Sequence, residues 1–141
     1  MSNITQVVRN EKNMTTLSRG IVASGLDQVL SGTGPYTVFA PSDLAFGKLE
    51  AGTIENLLKP ESKVKLTEIM NHHVVSGKIS FKDLKDGDKL ETVNGNQLHV
   101  EITNGKVSIR DAVILGREAK ISNGVIHNTD TVFTKKLFRN L

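Results

Sequence analysis

The sequence predicts an α+β fold with its helices mostly first and its strands mostly last. Three observations predict it: apolar residues at helical spacing through the first third, polar–apolar alternation through the last third, and Asn-Gly pairs at 94–95, 104–105 and 123–124. With 141 residues and no cysteine, the chain has the size of one domain, residues 1–141, held by a hydrophobic core rather than by disulfides.

Each element can be justified in order. Ile4, Val7 and Val8 form one apolar helical face behind Ser2 or Asn3 as a cap. A second helix runs from Asn13 through Leu17, Ile21 and Val22 and stops at Gly25; Leu26, Val29 and Leu30 add an apolar turn. After the breakers of residues 31–35, residues 36–40 read as a buried strand ended by Pro41. Ser42 caps a helix bearing Leu44, Ala45 and Phe46, with Asp43 against its positive end. Thr53 caps a turn carrying Ile54, Leu57 and Leu58, and Pro60 opens a helix through Val64, Leu66, Ile69 and Met70. Residues 72–75 read as strand. Residues 97–103 alternate polar and apolar, residues 106–110 repeat the pattern across Asn104-Gly105, and residues 112–115 continue the sheet.

Composition removes several function classes. Without cysteine there is no thiol nucleophile and no cysteine-ligated zinc or iron-sulfur site. A net charge of +3 is spread along the chain and aromatics are 4%, which argues against a nucleic-acid partner. No window approaches the roughly 20 apolar residues of a membrane helix. Only the tail, residues 134–141, clusters basic side chains, Lys135, Lys136 and Arg139, beside Leu137 and Phe138. Membrane contact is expected through that tail alone, and the tail more often packs back or frays.

Residues 37–46, TVFAPSDLAF, resemble the first signature block of fasciclin-like domains, and residues 122–132, SNGVIHNTDTV, resemble the second. Residues 52–58, 66–75 and 111–112 fall between them in the family's order, so the resemblance covers about residues 4–133. It implies a wedge-shaped β-sandwich with a helical layer. It also implies a stand-alone, non-catalytic cell-adhesion or surface-binding module of bacterial type, extracellular or in the cell envelope, without cofactor and with a protein or matrix partner. The alternative is a polysaccharide or small-ligand-binding domain of a bacterial envelope. The signature positions carried over are Thr37, Phe39, Ala40, Pro41, Asp43, Phe46, His73, Asn123, Gly124, Ile126, His127 and Asp130, expected to stabilise the fold. In the animal matrix members an Asp-Ile pair precedes the second block and is associated with integrin recognition. Glu118 and Ala119 stand there instead, so the apolar anchor is cut to a methyl. The exposed charges of Arg117, Glu118 and Lys120 are the candidate partner-binding residues. Asn128 and Thr129, polar where the family more often is apolar, suggest a final strand less buried on one side.

His72, His73, His99 and His127 could suggest a metal or hydrolase centre. No H-x-x-x-H pair occurs, and adjacent histidines in a strand point to opposite faces, so His73 and His127 are expected to be buried and bonded to backbone groups. No G-x-S-x-G elbow surrounds a serine that His127 could serve with Asp130. Asp130 is expected to anchor a turn or accept from a backbone amide. Asn3 and Asn13 open N-glycosylation triplets, which matter only in a secreted eukaryotic setting.

Overall fold

The computed structural model describes residues 4–130 apart from 33, 49–51, 94, 96, 110, 111 and 122, with the backbone alone for 116–118. The expectations that concern Ser2, Asn3, Asn94, Asp111 and the basic tail lie outside the described residues.

Among the described residues, six α-helices and seven strands run with the helices mostly first and the strands mostly last. Helices α1 (Ile4–Asn10), α2 (Thr15–Ser24) and α3 (Leu26–Leu30) come first, and Gly25, at φ 80°, stops α2 through its left-handed conformation. Strand β1 (Tyr36–Pro41) leads into α4 (Asp43–Phe46), α5 (Thr53–Leu57) and, after a 3-10 turn at Pro60–Ser62, α6 (Lys63–Asn71). Strands β2 (Val74–Ser76), β3 (Lys89–Glu91), β4 (Gln97–Thr103), β5 (Lys106–Ile109), β6 (Ala112–Ile121) and β7 (Gly124–Thr129) complete the order.

The strands form one sheet in the order β2-β1-β7-β6-β5-β4-β3. Every pairing is antiparallel except β1 with β7, which run parallel in register from Tyr36↔Gly124 to Pro41↔Thr129. The alternating strands and Asn-Gly turns predict an antiparallel sheet system, which the parallel β1–β7 pair makes a mixed one. A bridge between Val75 and Thr92, backed by Val93 N–H donating to Val74 O at 3.0 Å, brings the two ends of the sheet together into a nearly closed, sandwich-like wedge.

Two cores lie on either side of β1. Val38 and Ala40 point into the helical core with Ile4, Leu17, Leu30 and Ile126, while Phe39 points the other way among Leu98, Ile109 and Ile114. Packing on both faces explains why β1 is a continuous apolar run rather than an alternating one. Strand β4, wet on one face, alternates as expected.

Several local expectations are corrected. Thr53 begins α5 without capping it, because Gly52 at φ 85° makes the entry. Val22, Leu44 and Val64 are exposed, the last two at 85% and 82%, so their helices bury neighbouring positions instead. His72 and His73 end α6 rather than lying in a strand: each Nδ1–H donates four residues back, to Glu68 O at 3.0 Å and Ile69 O at 2.8 Å. Of the Asn-Gly pairs, Asn104-Gly105 makes the tight hairpin turn, with φ 53° and 78°. Asn94 lies outside the described residues; Asn123-Gly124 stands at the tight β6–β7 hairpin, where Ile121 pairs with Gly124, but neither residue has positive φ. Thr129 is fully buried and Asn128 half-buried, so the end of β7 is less open than its polarity suggested.

Candidate functional site

The signature residues from the two blocks converge on the scaffold, and each can be followed to its partner. Thr37 and His127 clamp the segment after β2. Thr37 Oγ1 donates to Gly77 O at 2.7 Å and accepts from Ile79 N–H at 2.9 Å, and His127 Nε2–H donates to Ile79 O at 2.7 Å. The His127 ring stacks on Phe39, its parallel-strand neighbour, with centroids 5.3 Å apart and planes 18° from parallel. On the other side of β1, Ala40 and Phe46 are buried in the helical core, and Pro41 at the end of the strand is buried too.

Ser42 Oγ accepts from Ala45 N–H at 3.3 Å, the cap expected for α4. Asp43, expected to serve the same helix, turns instead to the start of α2, where Met14 offers no capping side chain. Its carboxylate accepts from Thr16 N–H at 2.8 Å, Thr15 Oγ1–H at 2.7 Å and Thr15 N–H at 3.3 Å. Partial burial pushes the Asp43 carboxyl up, but the bonds from Thr16 and Thr15 outweigh it and hold the pKa below its ordinary value. Asp43→Ala is expected to cost about 1 kcal/mol near neutral pH, as the loss of a cap. Because the folded-state pKa is the lower one, the parent's advantage is complete above the unfolded carboxylate range and fades as pH falls below about 4. Urea denaturation of both proteins across that range checks the magnitude and the sign.

Asn123 makes three side-chain hydrogen bonds among the described residues. Its Oδ1 accepts from Ile4 N–H at 3.0 Å, supplying from β7's turn the cap that α1 was expected to find in its own leading residues. Its Nδ2 donates to Leu30 O at 2.6 Å and Gly32 O at 2.8 Å, and its carbonyl accepts from Tyr36 N–H at 2.9 Å. Asn123→Ala leaves an amide and two carbonyls without this partner in a buried place, and an expected loss of about 2–3 kcal/mol should appear in the urea midpoint with an unchanged slope. Asp130 Oδ1 accepts from Val113 N–H at 2.8 Å, tying the end of β7 to β6.

The candidate binding residues lie on β6. The register with β7 shifts between Ile114 and Glu118, after which Glu118, Ala119, Lys120 and Ile121 pair with His127, Ile126, Val125 and Gly124. Lys120 is exposed; the side chains of Arg117 and Glu118 lie outside the described residues. Beside this strand is a cavity of about 130 Å³ that sequence reasoning missed. Val7, Met14, Ala119 and Ile126 line it with apolar surface, Met14 and Ile126 buried and Ala119 exposed, and Glu11, Asn13 and Asn128 add polar groups. Its walls come from the first and last described parts of the chain, and no local pattern signals such an encounter. Among the described residues, no three histidine, aspartate or glutamate side chains gather as a metal site, and no helix is long and apolar enough to cross a membrane.

Comparison with known proteins follows the same geometry. The family model described as the Fasciclin domain matches residues 12–135. Protein sll1483 of Synechocystis is 40% identical over 129 residues, spanning 92% of this chain and 71% of that protein. Cell surface glycolipoprotein MPB83 of Mycobacterium bovis is 34% identical over 99 residues, spanning 70% of this chain and 43% of its own length. In three dimensions the chain is similar to a FAS1 domain pair from the insect cell adhesion molecule fasciclin I. The TM-score is 0.81 at 18% identity, over 93% of this chain and 50% of that one, which establishes a shared fold.

Proposed function

The chain belongs to the fasciclin domain family, and from that premise we propose that it is a non-catalytic cell-adhesion or surface-binding module. It acts as one unit, outside the cytoplasm or in the cell envelope, and recognises a protein or matrix partner without a cofactor. One observation carries this reading: the groups that bond chemistry would recruit are committed to backbone. His73 and His127 donate to Ile69 O and Ile79 O, Asp43 accepts from the start of α2, and Asp130 accepts from Val113 N–H. A site whose acids and imidazoles hold the scaffold offers a partner shape and charge. The names of its relatives point the same way, one a cell surface glycolipoprotein and one a cell adhesion molecule.

Arg117, Glu118 and Lys120 on β6 are the proposed contacts. The domain coupled to beads should recover a specific protein from a cell-surface or matrix extract of its source. Replacing Arg117 and Glu118 together by alanine should reduce that recovery several-fold; equal recovery places the contact elsewhere on the surface. The alternative, a domain that encloses a polysaccharide or free small ligand, is less well supported by the cavity beside β6. At about 130 Å³ it is smaller than the roughly 300–1,000 Å³ of small-molecule sites.

A further inference from the structure

We propose that the far half of β6 is a docking edge for an extended peptide segment of the partner, and that the cavity beside it receives one lysine side chain of that segment. The inference rests on the adhesion reading and names the chemistry of its partner. Two independent observations carry it. First, β6 has ten residues, yet β5 pairs with it only at Ala112 and Val113, while Glu118–Ile121 pair with β7 on one side alone among the described residues. Alternate N–H and C=O groups of that half face away from β7, which is the template an incoming strand uses.

Second, the cavity lies next to that edge. A strand added there runs about 4.8 Å from β6, and its residue opposite Ala119 stands on the same face as Ala119 and the cavity. Ala119 is exposed and small, so a side chain from the added strand passes over its methyl. At about 130 Å³ the space is small against the roughly 300–1,000 Å³ of ligand sites, which suits a single side chain rather than a sugar or a drug-sized ligand. An apolar lining suits a methylene stem. Glu11 is the one charged lining group among the described residues, beside the amides of Asn13 and Asn128, whose carbonyls can also accept. Arg9 and Lys12 adjoin Glu11 in sequence but do not line the cavity. A chain of methylenes ending in an ammonium meets each of these features in turn, whereas a leucine leaves the Glu11 carboxylate facing apolar surface and a glutamate faces a like charge.

The test is selection of displayed random octapeptides on the intact protein. The expected result is enrichment of lysine at one fixed position of an alternating sequence. Selected peptides should bind Glu11→Gln about tenfold more weakly and Ala119→Tyr, which covers the cavity mouth, more weakly still. N-methylation of alternate peptide amides should abolish binding, and the amide resonances of residues 118–121 should shift on titration. Both substitutions are at exposed positions, and an unchanged thermal melt of each separates lost binding from lost fold. No enriched peptide, enrichment of an apolar or acidic residue at the fixed position, or indifference to Glu11→Gln overturns the proposal. Loss of extract recovery on changing Arg117 and Glu118 together with any of those outcomes would leave the adhesion reading standing and remove only the lysine-bearing strand.

Discussion

Gly124→Ala is expected to cost about 4 kcal/mol or more and to leave little folded protein at 37 °C. The reason is contact, since Gly124 does not have positive φ. It opens β7 directly opposite Tyr36 in the parallel pair, and an added Cβ would strike the Tyr36 carbonyl oxygen, lie 2.8 Å from the carbonyl carbon and 2.9 Å from Ile4 Cδ1. Backbone cannot yield as a flexible side-chain tip does. Relieving the overlap means drawing β7 away from β1, which also stretches the Tyr36 N–H bond to Asn123 O. Circular dichroism during heating checks it: a variant that melts within a few degrees of the parent would show that β1 and β7 are not held this close.

Phe39→Ala should cost about 3–5 kcal/mol, the range for a buried aromatic truncation. Phe39 is fully buried, fills the second core between Val75, Leu98 and Ile109, and carries the His127 ring on its face. At about 2–4 °C per kcal/mol for a chain of this size, the midpoint should fall by roughly 6–20 °C. An unchanged melt would take Phe39 out of the core and misplace β1. Phe39→Leu, which refills most of the volume, should recover part of the loss.

The parts of this fold legible in the sequence are those decided locally. The stop at Gly25, the Ser42 cap, the alternation of β4 and the Asn104-Gly105 turn each depend on a few adjacent residues. What escaped depends on distant partners. His72 and His73 carry strand-like neighbours, but their rings bond back to the last turn of α6, which keeps them with the helix. Asn123-Gly124 does stand at the β6–β7 hairpin, but without positive φ: the Asn123 amide reaches α1 and α3, and the glycine clears Tyr36. Asp43 serves the helix that lacks a cap of its own rather than the one it begins. The cavity beside β6 could not be foreseen, since Glu11 and Asn128 become neighbours only when the sheet is built.

The position of β7 has a kinetic consequence. The last described strand is central in the sheet, between β1 and β6, and its parallel pairing joins the end of the described chain to residues near its first third. Such non-local pairing carries a large loop-closure entropy before any contact repays it, so refolding is expected on the millisecond-to-second scale rather than in microseconds. A chain still being synthesised lacks the strand that β1 and β6 both need, and cannot close early. Complete closure of the sheet therefore waits for residues 124–129.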